Sequence, residues 1–178
     1  DHYDFNGAAP FTLEAWVKPT TIDTTARRIF SKEATSDGYY LVSNSAKVQF
    51  ARIAGGSYET LNGPVLPVNQ RTYVVLTYDG STLRLYFNGV EVAASSSGQS
   101  LPGNTSAFTV GAKATGGGNW AGTIDEPAVY STALSPASIV SHYQAGTNAT
   151  PPPPDTTPPA KPATPTATPG DGSAQVNL

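Results

Sequence analysis

The 178-residue chain contains no cysteine and no methionine. Without cysteine there is no disulfide, no thiolate metal site and no cysteine nucleophile. Without an initiator methionine or a charged-then-apolar leader, Asp1 is expected not to be the translated start. Histidine is nearly as scarce. His2 and His142 are the only two, one at the chain's beginning and one on a helix-like stretch, so little is available to activate a serine. Charge is thin as well, at 13% of residues, with 10 Lys and Arg against 13 Asp and Glu and a formal net charge of −3. Arg27-Arg28 is the only adjacent basic pair, and Asp23 and Glu33 flank it. No basic stripe exists to neutralise phosphates, which argues against a nucleic-acid partner. No apolar run approaches the ~20 residues of a membrane-spanning helix, and membrane insertion is not expected.

Proline and glycine, by contrast, are plentiful at 16 and 17 residues, and they are unevenly spread. Residues 1–146 have the composition of a globular domain, and a body of about 145 residues buries roughly 70% of the surface its unfolded chain exposes. Residues 147–162 form a Pro/Thr-rich linker, in which Pro151-Pro152-Pro153-Pro154 must be extended because each ring fixes φ and removes an amide donor. Residues 163–178 carry Pro169-Gly170-Asp171-Gly172-Ser173 and the strand-like Ala174-Gln175-Val176-Asn177-Leu178.

Within the body, strand signals dominate. Phe11-Thr12-Leu13-Glu14-Ala15-Trp16-Val17-Lys18 alternates apolar and polar residues before Pro19, as a half-buried strand does. Tyr39-Tyr40-Leu41-Val42 and Lys47-Val48-Gln49-Phe50-Ala51-Arg52-Ile53 read as a pair closed by Asn44-Ser45, and Gly55-Gly56 turns the chain again. A three-strand meander follows, with strands at 72–78, 82–87 and 90–92 and with Asp79-Gly80 and Asn88-Gly89 as two-residue turns that tolerate positive φ. Residues 107–111 and 123–130 are further strands, separated by the loop Thr115-Gly116-Gly117-Gly118-Asn119. One helix is predicted, with Ser135 as N-cap, Pro136 at the first position, Ile139, Val140 and Tyr143 on its apolar side, and Gly146 as its end. Many short strands and a single short helix describe an all-β, two-sheet antiparallel sandwich.

Four segments resemble the laminin-G-like jelly roll of the concanavalin A-like lectin/glucanase superfamily. Asp1-His2-Tyr3-Asp4-Phe5 is similar to its first strand, and Phe11 to Pro19 to its second. The stretch from Tyr78-Asp79-Gly80 to Asn88-Gly89-Val90-Glu91-Val92 resembles its central hairpin. Gly122-Thr123-Ile124-Asp125-Glu126 with Val129-Tyr130-Ser131-Thr132-Ala133-Leu134-Ser135 resembles its closing strand. The abrupt start at Asp1 suggests that an upstream strand lies outside this chain. Pro127 stands where the family usually has valine; because proline cannot donate to a ladder, the closing strand should lie at an edge or carry a bulge there. Residues 163–178 resemble the opening of a fibronectin type III domain, whose neighbourhood would make this one module of a longer chain.

The resemblance implies a lectin-like or adhesive role more readily than catalysis, although a fold alone does not fix function. The strand motif that carries the carboxylates of the superfamily's glucanases is missing. Asp125 and Glu126 are adjacent in a strand, so their side chains point to opposite faces and cannot flank one glycosidic bond. The expectation is a non-enzymatic, extracellular carbohydrate-binding or adhesion module, secreted or on a cell or virion surface. The alternative is a structural or decorating domain of a surface assembly, filament or phage particle, with other subunits as partners. Family likeness also implies one structural Ca²⁺, an ion that takes six to eight oxygens, near Asp1 and Asp125. For a glycan, Trp16 and Trp120 are candidate aromatic platforms, although the family usually fills both positions with core aromatics. Arg52 and Tyr58, flanking Gly55-Gly56, and Asn119 in the glycine loop are the candidate exposed contacts. Asn104-Thr105-Ser106 and Asn148-Ala149-Thr150 fit a glycosylation acceptor pattern that matters only in a eukaryotic secretory host.

Overall fold

Alternation along β1 (Phe11–Pro19) sends Phe11, Leu13, Ala15 and Val17 to one side and Thr12, Glu14 and Trp16 to the other, and both sides are buried. This strand is the hinge of the architecture. The computed structural model describes residues 3–44 and 47–148, and the backbone of 167–169 and 174–176. β1 pairs antiparallel with β6 (Thr72–Tyr78), which continues into β7 (Thr82–Phe87) and β8 (Val90–Ser96), while β10 (Gly122–Tyr130) takes the other edge. The resulting order is β10-β1-β6-β7-β8. The second antiparallel sheet runs β5-β4-β3-β2-β9 and is built from β2 (Arg27–Glu33), β3 (Gly38–Ser43), β4 (Val48–Ala54), β5 (Ser57–Asn62) and β9 (Thr109–Val110). Leu13, Val74, Leu76 and Leu85 meet Phe30, Leu41, Phe50 and Leu61 between the layers, around the stacked rings of Phe5 and Phe11. The expected all-β two-sheet sandwich is the observed one.

The first sheet is covered on its outer side as well. Helix α1 (Pro136–Asn148) lays Ile139 and Tyr143 on Trp16, Tyr73, Val75 and Tyr86. Ser135 caps it, its hydroxyl accepting from the Ser138 amide at 3.1 Å. Gly146 does not end the helix, which continues to Asn148. The glycine serves contact instead, because a Cβ there would stand 2.5–2.7 Å from the Trp16 indole. Under the helix, the Glu14 carboxylate accepts hydrogen bonds from the hydroxyls of Tyr73 (2.6 Å) and Tyr130 (2.8 Å) and lies 3.1 Å from His142 Nδ1. A buried carboxylate needs that many partners, and His142 joins the helix to the sheet through this contact.

Several local expectations are met and several are revised. β10 is an edge strand and carries a bulge where Glu126 and Pro127 together face Ala15, with Glu126 in the left-handed region at φ 48°. Asn88-Gly89 makes a two-residue turn with φ of 51° and 82°, but Asp79-Gly80 does not. Its loop extends through Ser81, and the Asp79 carboxylate accepts from the amides of Ser81 and Thr82 and from Arg84. The Arg84 hydrogen bond foremost, joined by those donors, holds the Asp79 carboxyl well below its usual range. Tyr3–Phe5 is not a ladder strand. Tyr3 stacks on Phe108 and Phe5 on Phe11, both at 4.5 Å, so this segment plugs the sandwich with rings. The strand expected over 107–111 shrinks to Thr109–Val110, because the Gly111 amide turns to the Ile29 carbonyl and Gly111 adopts φ 81°. β2, which charged residues disguise in the sequence, is a central strand. A bulge between Arg28 and Phe30 puts both Ile29 and Phe30 in the core.

The remaining residues form a separate unit, in which β11 (Ala167–Pro169) pairs antiparallel with β12 (Ala174–Val176). The expected linker over 147–162 falls almost wholly outside the described residues.

Two outcomes follow from the helix-covered face. Gly146→Ala gains about 1 kcal/mol of helix propensity but must displace the indole, at a cost of about 1–3 kcal/mol. Thermal melting should therefore show net destabilisation. The Tyr130 phenol is pushed up to about 12, by burial first and then by the hydrogen bond and charge of Glu14, and Tyr73 is raised for the same reasons. A folded-state pKa above the ordinary value of 10.0 means stability that is complete below that pH and is lost as pH climbs through the folded value. An alkaline melting series should fall steeply between those two values, and Tyr130→Phe should flatten the fall while lowering the melting temperature at neutral pH.

Candidate functional site

Helix α1 covers Trp16, Tyr73, Val75 and Tyr86 on the outer side of the first sheet, whereas no described helix lies on the outer face of the second. Register sorts its side chains. The row Phe30, Leu41, Phe50, Leu61 points inward, so the neighbouring rows Ser31, Tyr40, Ala51, Thr60 and Glu33, Gly38, Ile53, Tyr58 point outward. Gly38 sits between Glu33 and Ile53 with no side chain. Its φ of 123° and the Lys32 carbonyl, 2.1 Å from where a Cβ would stand, admit only glycine. Over this end of the sheet lies a groove of about 390 Å³ lined by Glu33, Ala34, Thr35, Ile53, Tyr58, Ser106, Lys113 and Thr115.

Beside the groove is a polar and aromatic cluster. The Arg28 guanidinium holds both oxygens of Glu33, with Nε to Oε1 at 3.0 Å and the second terminal nitrogen to Oε2 at 2.9 Å. The same group donates to the Ala26 carbonyl and lies 4.4 Å from the centre of the Tyr40 ring. Ser31 adds a hydroxyl to Glu33 at 3.3 Å. Burial pushes the Tyr40 phenol above its ordinary value; Arg28 pulls it back, while Tyr58 and Glu33 add to the rise. Tyr58 is 60% exposed, the most open aromatic ring among the described residues. Lys113 Nζ stands 3.8 Å from Glu33 Oε1. A planar ring, a planar ion pair and several hydroxyls around a shallow trough can stack on a flat face and hydrogen-bond to hydroxyl groups. They offer no activated nucleophile.

Of the residues selected from sequence, Tyr58 lies in this groove and the others do not. Arg52 is corrected outright: it is buried, not exposed. It belongs to the inward row with Lys32, Tyr39 and Glu59, donates to Ser97 Oγ at 2.6 Å and to the Gly7 carbonyl at 3.0 Å, and covers the Tyr78 ring at 4.1 Å. Trp120 is half-buried against the core, its indole N–H donating to the Thr123 carbonyl. Trp16 is a core aromatic under α1. Asn119 is exposed, and its carbonyl accepts from Arg27 at 2.9 Å, outside the groove lining. Arg28, Glu33, Tyr40 and Lys113 were missed as site residues. The flanking of Arg28 by Glu33 was visible, but it read as simple charge balance.

Of the two residues implied for calcium, only Asp125 is among the described residues. Asp125 faces Arg71 at 3.4 Å and accepts from the Glu126 amide, Asp1 is outside the described residues, and among described residues no group of three His, Cys, Asp or Glu side chains converges. A second cavity of about 300 Å³ has Glu14 and Glu126 among its lining. Glu14 is committed there to Tyr73, Tyr130 and His142, so the pair does not supply a free acid and base.

Two antiparallel five-stranded sheets packed face to face, with a single short helix, are the architecture of a concanavalin A-like jelly roll. The chain belongs to the Concanavalin A-like lectin/glucanases superfamily, whose laminin-G-type model matches residues 2–140. Among solved structures it is similar to an assigned carbohydrate-binding protein from Bacteroides ovatus, with 22% identity and TM-score 0.61, covering 75% of this chain and 40% of that one. Domain 4 of an extracellular GH43 arabinanase from Geobacillus stearothermophilus, in complex with arabinotriose, is 18% identical with TM-score 0.59, covering 76% and 66%. The binding domain of botulinum neurotoxin DC, in complex with SialylT, is 12% identical with TM-score 0.64, covering 82% and 37%. This chain spans less than two thirds of each of those chains. No curated protein sequence matches it. No described helix is long and apolar enough to cross a membrane.

Removing the carboxylate of Glu33 leaves Arg28 half-paired and 5% exposed. Glu33→Ala should therefore destabilise by about 3 kcal/mol, the usual result of orphaning a buried charge, while Glu33→Gln should lose less. Denaturant titration measures both.

Proposed function

We propose that this domain is a non-catalytic glycan-binding module of an extracellular multidomain protein, and that it binds sugar along the outer face of the second sheet. The observation that carries the reading is the exposed Tyr58 ring beside the Arg28–Glu33 pair, over a groove with hydroxyl-bearing walls. Sugars offer one flat, weakly apolar face and a rim of hydroxyls, which match an aromatic platform and planar polar partners. The binding-domain character of the structural neighbours supports the assignment, and so does the description of the arabinanase as extracellular. Glu33 is the sole carboxylate lining the groove, which speaks for binding without hydrolysis. The proline-rich stretch and the fibronectin-like opening after it support a place in a longer chain. Calcium is not part of this reading, since Asp125 is paired with Arg71.

Polysaccharide pull-downs and a glycan array test the assignment. Tyr58→Ala should weaken capture about tenfold or more, as loss of an anchoring aromatic does, with the melting temperature unchanged because the ring is mostly solvated. Full binding by that variant, or binding abolished only by Trp120→Ala, would move the site elsewhere. Calcium and a chelator should leave both melting and capture unaltered; a melting temperature raised by calcium would restore the metal.

A further inference from the structure

The charge around the groove narrows the ligand class, an inference that rests on the glycan reading above. Two cations, Arg28 and Lys113, meet the carboxylate of Glu33, and their situations differ. Arg28 saturates Glu33 with two hydrogen bonds of 2.9 and 3.0 Å and spends a further donor on Ala26. Lys113, at 3.8 Å, is beyond hydrogen-bond reach of Glu33, and its ammonium keeps its donors for something else. The other carboxylate near this end, Asp37, is taken by the Gly55 amide at 2.8 Å and the Ser36 hydroxyl at 2.9 Å.

The lysine is also held in place. Its amide donates to the Gly117 carbonyl and its own carbonyl accepts from the Gly116 amide, so a closed turn fixes the root of the side chain. The Ser106 and Thr115 side chains line the same groove. Tyr58 is on β5 at one edge of the sheet, and Lys113 is on the loop behind β9 at the other. The Lys113 ammonium, however, stands over Glu33 on β2, three strand-to-strand steps from β5 or about 14 Å at the usual spacing, which suits an oligosaccharide rather than a single sugar.

We infer that the groove takes an acidic oligosaccharide, with one sugar ring on Tyr58 and a uronate carboxylate of a later residue on the Lys113 ammonium, beside the Ser106 and Thr115 side chains. The chain's formal charge of −3 does not oppose this. Charges farther away than about 10 Å are largely screened at ordinary ionic strength, so the local cation decides.

The test compares matched polymers on the intact chain by isothermal titration and affinity electrophoresis. Polygalacturonate and alginate are the acidic members, galactan and mannan the neutral ones. Acidic polymers should bind, should weaken as salt rises from about 0.05 to 0.5 M, and should lose about tenfold in affinity with Lys113→Gln, as expected for a lost charge-assisted contact. Lys113→Arg should keep the affinity, and all variants should keep the parent melting temperature. Binding to neutral polymers alone, sensitive to Tyr58→Ala but not to Lys113→Gln, would overturn this inference and leave the glycan assignment standing. Binding of acidic polymers that Lys113→Gln leaves intact would also overturn it. Absence of binding to every polymer would overturn both.

Discussion

Burial of β1 on both faces governs the rest of the molecule. Its inward residues fill the sandwich, and its outward residues lie under α1. A strand so placed has no side left for a ligand, and the helix covers Tyr73, Val75 and Tyr86 on the neighbouring strands too. On the glycan reading proposed above, recognition falls to the second sheet. The cost of the arrangement is concentrated at Glu14, a carboxylate carried into the helix-to-sheet seam, and it is offset by two phenols and an imidazole. The seam is thus polar at its centre and aromatic at its ends, where Trp16 stacks on Tyr143.

The opposite sheet is packed differently. Its inner face is aromatic and aliphatic, with Arg52 and Lys32 as exceptions at the ends of the core. Lys32 is held by the carbonyls of Asn104 and Ser106 and by Asp4, and Arg52 by Ser97, Gly7 and the Tyr78 ring. These buried cations tie the segments at 4–7 and 97–106 to the sheet. On its outer face Ala51 and Gly38 are buried, Tyr40 is half-buried, and Tyr58 and Thr60 on β5 are exposed.

Where local periodicity was undisturbed, the sequence was easy to read. β1, β6, β7, the Asn88-Gly89 turn and the cap of α1 stand where alternation, Asn-Gly and Ser-Pro put them, while β8 runs on to Ser96, beyond the expected 90–92. β2 was illegible because its bulge places Ile29 and Phe30 on the same side, which erases the period-2 pattern, and because four of its seven residues are charged. Arg52 was misjudged by its charge, although the alternation Val48, Phe50, Arg52 already pointed it inward. Tyr58 was legible as a residue beside a glycine turn. Its partners Arg28, Glu33 and Lys113 come from β2 and from the far side of the sheet, and only the pairing of five strands brings them near it. Gly146 was read as a helix stop and proved to be a point of close packing against an indole, a distinction that only the partner can reveal.

The edge at β10 has a further consequence. An unpaired strand is an open template onto which a foreign strand can zip, and sandwiches strung closely together present such templates to one another at high local concentration. Here the exposed margin is interrupted midway: Pro127 has no amide hydrogen to offer, and Glu126 bends the backbone into the left-handed region. The same irregularity of pairing thus leaves this edge a poorer template for a second copy than a regular strand would be.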